Sequence, residues 1–151
     1  MQTIKPLTAE QLPDILSIEQ QAAFVPWSLA LFESCLAEDY FNFVLWDKDK
    51  LCGYYLAQQV LDEASLFNIV VAPDEQGKGY GRILLQHMLQ QAKQRHCQQV
   101  WLEVRAGNTA AIALYQSAGF ELSGRRKNYY QSSAGAEDAL VMRFQLSAAP
   151  E

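Results

Sequence analysis

The stretch Val70 to Leu89, VVAPDEQGKGYGRILLQHML, sets three glycines at alternate positions, Gly77, Gly79 and Gly81, between an apolar run and an amphipathic one. Glycine gives up more backbone freedom on folding than any other residue, so such a cluster implies that the main chain must approach something closely. The first turn of an α-helix holds four amide donors without internal partners and about half a positive charge. A glycine-rich entry to it therefore makes a receptor for a phosphate or diphosphate. Lys78 and Arg82 stand at or before that turn, where the helix dipole disfavours cations by about 0.3–1 kcal/mol. A bound diphosphate reverses that sign. The alternative is a flexible turn in which Asp74 and Glu75 neutralise the two cations.

Two nucleotide-binding patterns fit less well. A P-loop needs G-x-x-x-x-G-K-[ST], which Gly77-Lys78-Gly79 does not supply. A dinucleotide fingerprint needs G-x-G-x-x-G directly after a strand, yet Arg82 occupies the third glycine position and Pro73 to Gln76 intervene before the first. Glu103 then stands out. It lies on an otherwise apolar segment, QVWLEV, on the face shared with Trp101 and Arg105. A partly desolvated carboxylate there is a candidate proton acceptor through one water, with a cross-strand ion pair as the other reading. Tyr115, on the apolar stripe Ala111, Leu114, Tyr115 and Ala118, is a core residue or a proton donor.

The elements that must position these groups follow from periodicity. Thr3 to Pro6 reads as an edge strand; Thr8 and Gln11 make a capping pattern for a helix ending near Ala23, and Leu29 to Leu36 suggest a short second helix. FNFVLW, LCGYYLAQQV and SLFNIVV read as an antiparallel meander, and Ile83 to Gln94 as the clearest helix. Strand QVWLEV follows, then a helix capped by Asn108 and Gly119, then two strands joined by a polar loop from Gln131 to Ala136. Asn68, the single polar residue in SLFNIVV, either fixes a bulge or faces solvent. The order ββαβ in the middle predicts an α/β (α+β) fold with one mixed sheet and not a doubly wound one.

Length and composition agree. The 151 residues, half of them hydrophobic, suit one domain with a substantial core. A formal charge of -5 disfavours broad binding to nucleic acid or anionic membranes. Cys35, Cys52 and Cys97 show no CxxC spacing and have only His87 and His96 to assist them, so neither a disulfide framework nor a metal site is expected. The two histidines read as structural, and Cys97 as a small hydrophobe. With no apolar run long enough to span a bilayer and no signal-peptide pattern at the start, the expected setting is cytoplasmic.

At this point Gln76-Gly77-Lys78-Gly79-Tyr80-Gly81 resembles the Q/R-x-x-G-x-G/A loop of the GNAT N-acetyltransferases, in which that loop holds the pyrophosphate of acetyl-coenzyme A. LDEASLFNIVV (61–71), WLEVRAGNTAAIALYQSAGF (101–120), RRKNYY (125–130), GAEDALVM (135–142) and VPWS (25–28) are similar to one bacterial subfamily, the RimI enzymes, which acetylate the N-terminal alanine of a small-subunit ribosomal protein. The similarity runs from the first helix to Leu146. It departs at Gly107, where the subfamily usually has serine, and at Val25 in place of phenylalanine, which bears on the peptide groove.

The resemblance implies the GNAT fold, a single mixed, mostly antiparallel sheet of about seven strands flanked by about four helices, in one domain over residues 1–146 with a disordered tail at 147–151. It implies acetyl-CoA as co-substrate, no metal, and direct attack of an α-amine on the thioester in a ternary complex. Glu103 becomes the general base and Tyr115 the general acid; Ile69, Val70, Val71, Gln76 to Arg82 (Gln76, Gly77, Lys78, Gly79, Tyr80, Gly81, Arg82) and Asn108 become coenzyme contacts. Pro26, Trp27, Tyr129, Tyr130, Glu137 and Asp138 are candidate walls for the peptide. The implied partner is the N-terminal alanine of the ribosomal protein, with no direct nucleic acid, no membrane, and a monomer as the expected state. Acetylation of another protein N-terminus, a lysine or a small amine is the alternative within the family. A non-catalytic acyl-CoA-binding module is the alternative outside enzymology.

Overall fold

The computed structural model of the chain describes residues 2–23, 26–132 and 135–146. Seven strands form one sheet: β1 (Gln2–Pro6), β2 (Tyr40–Asp47), β3 (Lys50–Val60), β4 (Glu63–Val71), β5 (Gln99–Arg105), β6 (Glu121–Ser132) and β7 (Gly135–Gln145). Four helices flank it: α1 (Leu12–Ala22), α2 (Leu29–Ser34), α3 (Tyr80–Gln94) and α4 (Thr109–Ala118). The strand order is β1-β2-β3-β4-β5-β7-β6, and β4 with β5 is the parallel pair among antiparallel neighbours. The mixed sheet, the meander and the four helices are those expected from the sequence.

Alternation dictates the layers. Val100, Leu102 and Val104 of β5 pack with Leu84, Leu85, Met88 and Ala92 of α3 on one face, while Ile15 and Phe32 pack on Val44, Tyr54 and Leu56 on the other. Each such side chain contributes about 1.5–3 kcal/mol when fully buried. That sum exceeds the ~0.3–1 kcal/mol by which Lys78 and Arg82 oppose the dipole of α3, so the helix tolerates them.

Two boundaries differ from expectation. Helix α3 begins at Tyr80 and not at Ile83, because Gly79 serves as its N-cap in the left-handed conformation and Tyr80 is already buried. The C-terminal hairpin is tighter than a loop from Gln131 to Ala136: the ladder pairs Gln131 with Ala136 and Ser132 with Gly135, so backbone pairing overrides the polar composition. The expected tail at 147–151 and Val25 lie outside the described residues.

What matters most for chemistry is where pairing stops. The β4–β5 ladder runs from Glu63↔Gln99 to Leu66↔Leu102 and ends there, although β4 continues to Val71 and β5 to Arg105. Opposite, β3 pairs Leu56 with Asn68 and Ala57 with Leu66, so Phe67 is an extra residue in β4. Such a bulge bends its strand, and the sheet opens into a V between Phe67–Val71 and Glu103–Arg105.

Candidate active site

The V is the floor of a cleft of about 290 Å³. Ile69, Val70 and Val71 form one wall, Glu103 and Arg105 the other, with Asn108 and Tyr115 reaching in from the start and middle of α4. Glu19 and Trp27 close it on the α1/α2 side. A second cavity shares Phe67, Glu103 and Tyr130 with it and extends along Trp101 and Tyr129.

Gly77 and Gly79 have φ of 82° and 83°, and a Cβ placed at either would meet nothing within 4 Å. A left-handed backbone beside open space is the cradle an anion requires. No side chain caps α3, and its first internal bond runs from Ile83 N to Gly79 O at 3.2 Å. The amides of Tyr80, Gly81 and Arg82 therefore belong to the orphan donors of the first turn. Gly81 differs: its φ is not left-handed, and a Cβ there would make ordinary contact with Leu114 Cδ2 at 3.5 Å, so neither conformation nor packing demands glycine at this position.

The side chains of the loop divide. Gln76 lines the cleft, with Nε2 donating to Val71 O at 3.3 Å. Lys78 is paired with Glu75, while Lys50 meets Asp74 at 2.6 Å and Glu75 at 3.1 Å. Arg82 donates to Ser117 Oγ at 3.0 Å, so the acidic pair neutralises Lys78 and Lys50 and not Arg82. The ring of Tyr80 is buried in the core and its hydroxyl donates to Asp47 at 3.3 Å, which leaves its main chain for a ligand.

Glu103 stands on the cleft face of β5 with its side chain 29% exposed, and Oε1 lies 3.1 Å from Arg126 Nε in an ion pair. An ion pair, one of the two readings of this residue, is thus present, but its partner comes from β6, beyond β7, and not from beside Arg105; the residue also lines both cavities. Tyr115 is buried against Phe120, ring centroids 5.8 Å apart. Burial pushes its phenol well above the usual tyrosine range, with Tyr130 adding to the effect. Tyr130 is raised too, by burial first and then by the Glu103 charge; it stands electrostatically between base and acid candidates. Asn108 Oδ1 accepts from Ala111 N at 3.2 Å, so its capping role is realised at the cleft wall.

Of the expected peptide walls, Trp27, Tyr129 and Tyr130 line the cavities, whereas Pro26, Glu137 and Asp138 do not. The two acids are consumed internally. Glu137 accepts from Arg105 Nη1 at 3.2 Å and from Gly107 N at 2.6 Å, tying β7 to the entry of α4. Asp138 accepts from Arg125 Nε at 2.6 Å and Asn128 N at 2.9 Å, and these bonds, the Asn128 amide foremost, hold its carboxyl below the usual range. Between Arg126 and Tyr130 the β6–β7 register shifts, and Asp138 is bonded to residues at that irregularity, next to Tyr129 and Tyr130.

Glu19 was missed. It is 1% exposed and lines the cleft, a carboxylate on the stripe of Leu12 and Ile15 in α1. Its signal in the sequence is an acid at i+7 and i+4 from two apolar positions of one helix face. Asn68 is half-buried at the cleft: it sits beside the Phe67 bulge and donates to Glu19 Oε1 at 2.9 Å. His87 accepts or donates at Nδ1 to Tyr55 OH at 2.8 Å. Among the described residues no group of three His, Cys, Asp or Glu side chains is placed to hold a metal ion, and no helix is long and apolar enough to cross a membrane.

An opened sheet with an anion cradle at the next helix defines a class. The model of the acetyltransferase (GNAT) family matches residues 3–120, and the chain belongs to that family. It is 46% identical over 147 residues to the [ribosomal protein bS18]-alanine N-acetyltransferase of Escherichia coli K12, covering 97% of this chain and 99% of that protein. The crystal structure of the Escherichia coli ribosomal-protein-S18-alanine N-acetyltransferase superposes with a TM-score of 0.95 at 46% identity over 100% of this chain and 97% of that one. Arabidopsis thaliana NAA60 in complex with acetyl-CoA shares the fold, with a TM-score of 0.89 at 16% identity over 97% and 99% of the two chains.

Proposed function

We propose that the protein transfers the acetyl group of acetyl-CoA to the N-terminal alanine α-amine of a small-subunit ribosomal protein, the homologue of S18. One observation carries this reading: the uncapped, glycine-lined start of α3 follows directly on Gln76 and abuts Val71, which line the cleft that Glu103 and Tyr115 share. The similarity to the Escherichia coli enzyme over nearly the whole length of both chains supports the acceptor.

Acetyl-CoA supplies an activated thioester. The amides of residues 77–82 bind the diphosphate, with Arg82 adding positive charge. The free edge of Ile69–Val71 offers amide and carbonyl groups to the pantetheine and to the thioester carbonyl, which fixes and polarises it without a side chain. Glu103 removes a proton from the incoming ammonium directly or through one water, and Tyr115 gives its proton to the departing sulfur. Trp27, Tyr129 and Tyr130 flank the acceptor. All of this takes place in one domain, and the acid–base pair disfavours a module that only binds acyl-CoA.

An α-amine, with a pKa of about 7.7–8.0 against about 10.4 for lysine, has roughly 300-fold more of its neutral form available at pH 7. A modest base such as an ion-paired glutamate then suffices. The expected result with an Ala-initiated S18 peptide is a single acetyl group on the α-nitrogen, read by tandem mass spectrometry, and no product above background from an N-blocked lysine peptide or spermidine. Faster acetylation of lysine or polyamine would move the chain to the alternative within its family; tight coenzyme binding without thiol release on any acceptor would leave the binding module.

A further inference from the structure

The carboxylate of Glu19 stands where α1 would otherwise bury an apolar side chain, and among the described residues no ammonium or guanidinium lies within ion-pair distance of it. Its oxygens are met by donors instead. Oε1 accepts from Tyr54 OH at 2.8 Å and Asn68 Nδ2 at 2.9 Å, and Oε2 accepts from Trp27 N at 3.0 Å. A buried carboxylate is tolerable only when so satisfied, and these three donors come from separate parts of the molecule: β3, the opened half of β4, and the segment entering α2.

The three tethers are unequal. Asn68 and Tyr54 already lie in the β3–β4 ladder, where Leu56 pairs with Asn68 and Tyr54 with Val70. Trp27 belongs to no helix or strand: its ring packs on Phe32, centroids 5.2 Å apart, the next residue, Ser28, caps α2, and the Trp27 amide itself donates to Glu19. The Glu19 side chain, which lines the cleft on its α1/α2 side, therefore ties the Trp27 wall to the strand on which the thioester would lie.

We propose that Glu19 is a positioning residue for the acceptor: by holding Trp27 N and Asn68 Nδ2 on one carboxylate, it sets the spacing between the wall that receives the incoming amine and the strand that presents the acyl carbon. This rests on the acetyltransferase reading above. Unlike Glu103, it moves no proton in the reaction. Its loss widens the acceptor side, while the diphosphate cradle at residues 77–82, which makes no hydrogen bond to Glu19 among the described residues, stays as it was.

The test is steady-state kinetics of the wild type, Glu19→Gln and Glu19→Ala, varying an Ala-initiated peptide and acetyl-CoA in turn, with melting temperatures alongside. Glutamine keeps the shape but offers one acceptor oxygen to three donors; alanine offers none. The expected result is a peptide KM raised about tenfold in Glu19→Ala, the equivalent of about 1.4 kcal/mol, and raised less in Glu19→Gln. The acetyl-CoA KM stays within about twofold and kcat falls by less than the peptide KM rises. An unchanged peptide KM with a lowered melting temperature, or equal rises in both KM values, would overturn the proposal and leave Glu19 a fold residue. Should Glu19→Ala fail to fold, Glu19→Gln decides alone. Failure of the acetyltransferase reading would appear in the wild type itself, failure of this one only in the variants.

Discussion

Glu103→Gln lowers kcat/KM for an Ala-initiated peptide about a hundredfold at pH 7, within the range that positioned proton transfer contributes. The substitution keeps the volume and leaves a polar oxygen beside Arg126, so what is lost is the charge and with it the basicity. Stability changes little, since a half-exposed ion pair such as Glu103 with Arg126 is worth about 0–1 kcal/mol. The deficit should narrow above pH 8, where an α-amine of pKa about 7.7–8.0 deprotonates unaided. Stopped-time thiol release from pH 6 to 9 gives the profile. Full activity of the variant below neutral pH would remove Glu103 as the base.

Tyr115→Phe should cut kcat by a comparable factor, about a hundredfold, with the peptide KM nearly unchanged. The ring packs on Phe120 in a buried site, and phenylalanine fills the same space, so folding is preserved while the proton donor disappears. The direction of the tyrosine shift fixes the pH dependence. Burial disfavours the phenolate and raises the pKa, so the protonated, donating form persists from neutral pH past the ordinary tyrosine value of about 10. In the wild type, then, rate rises as the amine deprotonates and shows no decline from loss of this acid between pH 8 and 10. A variant with undiminished kcat would show that the thiolate leaves without Tyr115.

Much of this architecture is legible in the sequence because it rests on local signals. Alternation marks β5 and puts Glu103 opposite Val100 and Leu102; Asn108 and Gly119 bound α4 through caps that need no tertiary partner. The left-handed turns of Gly77 and Gly79 follow from residue type. What is not legible depends on contacts between distant segments. That the β4–β5 ladder ends at Leu66↔Leu102, and so opens the cleft, is decided by the Phe67 bulge and by pairing across the sheet. Glu137 and Asp138 read as a negative patch for an ammonium because their arginine and amide partners, Arg105, Gly107, Arg125 and Asn128, come from β5, its turn and β6. That the ring of Tyr80 turns into the core, its hydroxyl on Asp47, is likewise a contact between distant segments.

The central claim is that main-chain amides at 77–82 grip the diphosphate and thereby aim the thioester into the V. Amide nitrogen–proton correlation spectra of the labelled protein, titrated with acetyl-CoA and in parallel with S-acetyl-pantetheine, which has no diphosphate, test it most directly. The account predicts large shifts at Gly77, Gly79, Tyr80, Gly81 and Arg82 with acetyl-CoA, absent with the truncated thioester, and shifts at Ile69 to Val71 with both. Acetyl-CoA binding that leaves the amides of 77–82 unmoved while perturbing another surface would contradict it.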